Sequence, residues 1–404
     1  MELTATRAAG LERMRAFQPR MGLRYAQARN MDHGPGLHRD VSGLSPWLRR
    51  RLLTEPEVIA TALSAHGPDR AAKFIQEVVW RSYFKGWLEL RPQVWDSYRG
   101  GLRADLAALE RDDALRDAVL RAQEGRTGLD CFDAWSRELV ATGYLHNHAR
   151  MWFASIWIFT LRLPWRVGAD FFLRHLLDGD AASNTLSWRW VAGLHTRGKP
   201  YEAQADNIAR LTGGRFAPAP GDLATVTQGL EATEPDGLPP TQPLRRVVPP
   251  EPGRPTALLI TDDDCCPGDV LPQGLDIRAA VALSAGHLRS PLAVSEGVLA
   301  FDAVALADAA ARAGMRADPL PAEDPAGLAQ WALRAGVTQI ATPFVTHGPV
   351  RDWLDAARHH LAAQGIVLSE ARRDWDAAVW PLATAGFFKV GQKIPALLDR
   401  LIPV

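Results

Sequence analysis

Ten prolines crowd the stretch between Phe216 and Pro255, set among glycine and threonine (APAPGD, DGLPPTQP, VVPPEPGRP). Proline lacks a backbone N–H and fixes φ, so a segment this rich in it is neither helix interior nor central strand and reads as an extended, semi-rigid linker. The two sides of it follow different periods. From residue 1 to about 216, apolar residues recur at spacings of three and four with arginines on the other faces, which predicts an all-α half. Beyond 255, short apolar runs at 257–261, 277–284, 339–341 and 366–368 alternate with helical patterns at 302–313, 327–335 and 350–364, which predicts a parallel sheet with crossover helices. The expected organisation is therefore a helical domain over 1–216, a linker over 217–255 and an α/β domain over 256–404.

With 46 basic and 46 acidic residues the formal net charge is zero, so no bulk field attracts nucleic acid or membrane, and any polyanion site must be local. The charge is uneven: 33 basic and 28 acidic residues up to Pro250 leave +5, while 13 and 18 beyond it leave −5. A phosphate backbone, if either half meets one, should meet the first. Three cysteines, two adjacent (Cys265, Cys266), cannot form a disulfide framework or a four-cysteine iron–sulfur cluster, and they fit a reducing compartment. The opening MELTATRAAGLERMRAF reads as a charged helix rather than a signal peptide, and the longest apolar run, 151–161, is too short to span a bilayer. A cytoplasmic protein with no membrane partner is the expectation.

Chemistry concentrates in residues 125–190. Thr142-Gly143 turns into a helix on which His146, Asn147, Arg150 and Met151 project from neighbouring turns; then Asp178 and Asp180 flank a glycine, and Trp188 and Trp190 flank an arginine. The spacing is thirteen residues from Trp165 to Asp178 and ten from Asp178 to Trp188. In this order, TGYLHNxxRM, W-R-x-G, LLDGDxAxN and W-x-W resemble the flavin domain of the photolyase/cryptochrome family. Upstream, VSGLSPWL (41–48) resembles the family's loop for the flavin diphosphate, and EVVWRSYFKGWL (77–88) its E-L-x-W-R-E-F-Y helix. The resemblance covers about Tyr25 to Phe216 and implies FAD as cofactor.

Several of these residues carry a physical reading of their own. Ser42, Gly43 and Ser45 before Pro46 offer small residues, an N-cap hydroxyl and a positive helix end to a diphosphate, although S-x-L-S-P is also an everyday helix start. Arg81, four residues after Glu77, reads alone as one half of a surface ion pair. A D-G-D turn reads alone as a helix cap. The resemblance instead places Tyr25, Val41, Ser42, Gly43, Leu44, Ser45, Arg81, Arg150, Asp178, Asp180, Ser183 and Asn184 around FAD. It pairs Arg150 with Asp178 beside the flavin ring, where burial of both charges demands that they be paired, and aims Asp180 at the flavin N3–H. It assigns catalysis to Glu77, Trp80, Asn147, Met151 and Trp190, with Trp80 and Trp190 stacking a flipped pyrimidine dimer whose lost base stacking aromatic faces replace. Trp188 and Trp165 fall on the proximal and middle positions of the family's electron relay. The distal tryptophan is missing from 100–123, and Trp95 is a substitute that the sequence does not place. Trp135, Trp152 and Trp157 read as core.

Two departures stand out. His148 occupies a position where many relatives carry arginine, and Ser183 stands at the position taken to face flavin N5, where repair enzymes commonly have asparagine. The family's usual α/β start, F-R-R-D-L-R-L-x-D-N, is not found; the α/β half follows the flavin half, and its end, DWDAAVWPLATAGFFKVGQKIPALLDRL, is similar to how the family's antenna domain finishes. A circularly permuted order is implied, with an unrelated Rossmann-like domain as the alternative and no indication of an antenna chromophore's identity. Asp262–Cys266 (DDDCC) follows a strand where α/β sheets bind ligands, but three acids repel phosphate and no glycine fingerprint is present; a solvated acidic turn is expected, with a metal at Asp262–Asp264 and Cys265 as the alternative. No Cys/His zinc spacing, nucleophile elbow or Walker loop is found, so no metal is assigned.

The function implied is that of an FAD-dependent lyase that splits pyrimidine dimers in UV-damaged DNA, single- or double-stranded, under blue or near-UV light. The alternatives are a cryptochrome-like photoreceptor that binds FAD and signals to a protein partner, and a helical scaffold that has lost the flavin.

Overall fold

A computed structural model of the chain, describing residues 3–219, 221–226 and 228–402, places helices before the proline-rich stretch and a five-stranded sheet with flanking helices after it. The longest helix, Glu55–Glu89, runs through the helical half. It starts where Glu57 reaches back to accept from the Thr54 backbone N–H (2.9 Å), which satisfies a donor that the first turn leaves open. At Gly67 (φ +71°) and Pro68 it breaks, because proline cannot continue the ladder and glycine takes the left-handed turn. The following stretch buries Val78, Val79, Ser82 and Tyr83 on one side while Glu77, Trp80 and Arg81 stay partly accessible. Trp135, Trp152 and Trp157 are wholly buried, as an apolar helix face requires.

The sheet is parallel throughout, with strands β1 (Pro255–Ile260), β2 (Asp276–Ser284), β3 (Ala317–Pro321), β4 (Gln339–Pro343) and β5 (Val367–Ala371) in the order β3-β2-β1-β4-β5. The chain winds outward on one side of β1 and then on the other, so the switch point lies between β1 and β4. β3 is the strand that periodicity missed. Its five residues, ADPLP, contain two prolines, and a strand with missing donors is tolerated because β3 lies at the sheet edge.

Alternation along β1 sorts the sheet into two faces. Ala257 and Leu259 join Val281, Leu283 and Ile340 in a core closed by the helices Ala326–Arg334 and Pro349–Ala363. Leu258 and Ile260 join the helix Glu296–Arg312 in the same continuous core as the helical half. The proline-rich stretch is tied to both sides: Gln242 N–H donates to the Leu90 carbonyl and Glu370 N–H to that of Val248, each at 2.8 Å.

At the junction the structure corrects one expectation. Asp262, Asp263 and Asp264 do not form a solvated turn, because Arg49 and Arg51 from the helical half meet them, while Arg50 between these two turns to Asp302. Arg49 pairs with Asp262 (2.9 Å) and Asp263 (3.3 Å), Arg50 with Asp302 (Nε to Oδ1 2.7 Å), and Arg51 with Asp376 (2.7 Å) and Asp264 (3.4 Å). Arg373 adds a second bond to Asp264 (2.7 Å), and Arg289 bridges Asp262 and Asp302. Charges removed from water must find opposite partners, so LRRR (48–51) and TDDDCC (261–266) are complementary parts of one buried contact. Part of the +5 and −5 asymmetry therefore lies inside the junction rather than on a surface awaiting a polyanion. Burial pushes the Cys265 thiol well up, so that sulfur is an inert neutral group donating toward the Thr261 carbonyl. No helix among the described residues is long and apolar enough to cross a membrane.

Candidate functional site

Asn147, Arg150 and Met151 ride on the helix Asn147–Ser155, whose start His146 caps: its Nδ1 accepts from the His148 backbone N–H at 3.2 Å. Arg150 donates from Nε to the Leu145 carbonyl (2.9 Å) and from Nη2 to Asp178 Oδ2 (2.9 Å), with its guanidinium over the Tyr144 ring. Burial pushes the Asp178 carboxyl up, but Arg150 more than offsets this and holds it below the usual carboxylate range; the same contact holds Arg150 above its own. The pair is charged at neutral pH.

Asp180, two residues on, caps the helix Ala181–Val191 by accepting from the Ser183 N–H (2.8 Å), while its other oxygen meets Lys85 (3.0 Å) and Arg81 (3.3 Å). Burial opposes its ionisation, yet Lys85, Arg81 and Arg49 together hold the carboxyl far below its ordinary value. Its observed partners are thus this chain's own cations, Lys85 among them, which the sequence reading did not single out. The Glu77–Arg81 pair suggested by spacing is not formed: Glu77 binds Arg29 (2.8 Å) and Lys73 (3.5 Å).

The loop 41–45 differs in one detail from its sequence reading. Ser45 is the first residue of the short helix Ser45–Arg49, and no side chain caps it; Leu44, buried, stands at the cap position. The Ser42 hydroxyl accepts from the Leu44 N–H (3.4 Å), and Gly43 turns at φ +59°, where a Cβ would run into the Arg13 guanidinium. Tyr25 is buried edge-on against Phe74 (5.1 Å) and Val41 packs on the core. Asn184 is buried and donates to the Ala169 carbonyl (2.7 Å), whereas Ser183 stays partly accessible.

Among the proposed catalytic residues, Asn147 is exposed with its amide toward Met151 Sδ (3.8 Å), and Trp190 lies partly buried against Tyr201 (5.3 Å between centroids). Trp80 holds a contact that sequence reasoning missed: Phe387, from the end of the α/β half, stacks on it face to face at 3.8 Å and 9°. Only the pairing of that half with the Glu55–Glu89 helix brings these rings together, and the one local hint was an FF pair after Gly386.

Trp188 is buried against Phe172 (5.1 Å) and Trp157 (6.3 Å), and its ring fills the space left by Gly168, where a Cβ would collide with both indoles. Trp165 lies one helical turn before Gly168, next to Tyr98 (6.0 Å). Tyr98 in turn stacks on Trp95 (5.4 Å), so the tryptophan that the sequence did not place is two rings from Trp165, with its indole N–H on Asp352 (2.9 Å).

A family model described as the FAD binding domain of DNA photolyase matches residues 74–211. The deoxyribodipyrimidine photo-lyase of Thermus thermophilus is 35% identical over 199 residues, 48% of this chain and 44% of that one; that of Streptomyces griseus is 37% identical over 169 residues, 40% and 35%. The chain thus spans less than half the length of these curated relatives. Among solved structures, a class III photolyase from Agrobacterium tumefaciens aligns with TM-score 0.42 at 26% identity over 52% of this chain and 43% of that one, and a cryptochrome from Synechocystis with 0.41 at 25% over 51% and 43%. The residues present fit FAD: Arg150 keeps 24% of its side-chain surface accessible, and Asp178 Oδ1 makes no bond of its own although the Ser45 hydroxyl helps hold that carboxyl ionised. Residues 74–211 of this chain are thus similar to the FAD binding domain of DNA photolyase, and FAD is the cofactor that this domain implies.

Proposed function

We propose that this protein is a light-driven lyase that splits cyclobutane pyrimidine dimers in DNA, with FAD as its chromophore. Supporting it most directly is the Arg150–Asp178 pair, charged, partly accessible and carried by the motif helix inside the matched domain. When bound and reduced, the flavin supplies a light-excited electron that is lent to the dimer and returned, so the net redox change is zero. Arg150 sets a fixed positive charge beside the ring and Asp178 holds its orientation. Ser42, Gly43 and Ser45 meet the diphosphate. Glu77 and Asn147, with Trp80, Met151 and Trp190, form the polar and aromatic wall for extruded bases. Trp188 and Trp165 serve as the inner relay.

The test is direct. Photoreduced protein is expected to lower the dimer content of UV-irradiated oligonucleotides, and an unchanged dimer content under light would overturn this reading. Arg150→Leu leaves Asp178 unpaired beside the ring, so the purified variant is expected to lose most of the yellow absorption at about 450 nm; full retention would remove Arg150 from the flavin site.

A second reading, a photoreceptor that binds FAD and signals to a protein partner, is favoured by the Phe387 ring on one face of Trp80. A photoreceptor should bind dimer-containing and undamaged DNA alike, and a lyase should not.

A further inference from the structure

Phe388 is the most exposed large apolar side chain of those the structure leaves in water, at 75% of its surface. Exposure of a phenylalanine to this degree is costly, and here it is local: Phe387, its neighbour, is buried on Trp80. The backbone therefore carries one ring into the wall of the proposed site and the next ring outward beside it, about 3.8 Å along the chain. Along the chain, the segment that carries it is cationic. Between Asp376 and Asp399 there is no acidic residue, while Lys389 and Lys393 are exposed, although the half that contains them is net negative.

We propose that Phe388 is a wedge for duplex DNA: it enters the base stack next to the extruded nucleotides, with Lys389 and Lys393 on the flanking phosphates. Pulling bases out of a duplex leaves a gap whose lost stacking an apolar side chain replaces, and cations on either side fix the register of the backbone. The Trp80–Phe387 stack anchors the segment at its root, so the wedge has a rigid base. The α/β half thereby supplies a DNA contact, in contrast to the expectation from net charge that the helical half alone would do so. This inference rests on the lyase reading.

The experiment measures affinity of the flavin-loaded protein for one oligonucleotide, with and without the dimer, as a single strand and as a duplex. Phe388→Ala is expected to weaken duplex binding at least about fivefold while single-strand binding stays unchanged, since a single strand has no stack to fill. Phe388→Trp should keep the duplex affinity. Lys389→Ala with Lys393→Ala should lower the slope of log affinity against log salt by about 2 on the duplex. If the wild type prefers dimer-containing duplex and Phe388→Ala binds it equally well, or loses both forms alike, the wedge is wrong and the lyase reading stands. If the wild type shows no preference for the dimer in either form, the lyase reading fails and takes the wedge with it.

Discussion

Replacing Arg51 by methionine is expected to destabilise the protein by about 3–5 kcal/mol, the range for removing one partner of a buried ion pair. Arg51 has 4% of its side-chain surface exposed and sits between Asp376 (2.7 Å), Asp264 (3.4 Å) and Glu55 (3.7 Å). Without it Asp264 still has Arg373, but Asp376, which is fully buried, has no other salt-bridge partner among the described residues, and Glu55 keeps only Arg81 at 3.8 Å. Burial already pushes the Asp376 carboxyl up against the pull of Arg51, so the site balances desolvation against attraction. Urea denaturation of the variant measures the loss. Adding Asp376→Asn should recover part of it, because the stranded charge goes as well. A loss below about 1 kcal/mol, the size of an exposed pair, would mean that water reaches the junction.

Acidification is expected to weaken the fold above the pH range in which ordinary carboxylates protonate. His146 is buried with both ring nitrogens engaged: Nδ1 accepts from the His148 N–H (3.2 Å), and Nε2–H donates to the Arg29 carbonyl (3.0 Å). A proton on Nδ1 would bury a charge and break the cap of the helix that carries Arg150. Burial accordingly pushes His146 down to about 4, and does the same to His148, His175 and His195. The unfolded chain, with histidines near 6.5, takes up protons first as pH falls. The stability is therefore whole above about pH 6.5 and is lost between about 6.5 and 4, at up to about 1.4 kcal/mol per pH unit for each histidine. Glu89, Asp263 and Asp376 act in the opposite sense, since burial raises them and the folded state then binds protons first. Asp178, Asp180 and Asp264 are depressed, and what they contribute is lost only at lower pH, below the ordinary carboxylate range. The midpoint of urea unfolding should fall from pH 7 to pH 5. His146→Asn keeps a capping acceptor and does not titrate, so its pH slope should be shallower; an unaltered slope would show that His146 takes no part.

Much of the site was legible along the chain because its motifs are local. His146 caps the helix that presents Asn147, Arg150 and Met151, and Asp180 caps the next one, so short spacing in sequence carries directly into geometry. The strands β1, β2, β4 and β5 were legible because apolar runs between helical patterns leave few alternatives. β3 was not, since its prolines oppose the strand pattern and only its place at the sheet edge makes them harmless.

From its residues alone the chain determined a helical half with a flavin-type motif set and an α/β half after it, all encoded over a few turns of backbone. Which charges are buried and which rings meet was decided only by tertiary packing. Arg51 and Asp376 are 325 residues apart and Trp80 and Phe387 are 307 apart, and no local propensity reports on contacts of that range. They form because the helical half and one sheet face share a core, which removes both arginines and aspartates from water and leaves pairing as the only inexpensive arrangement.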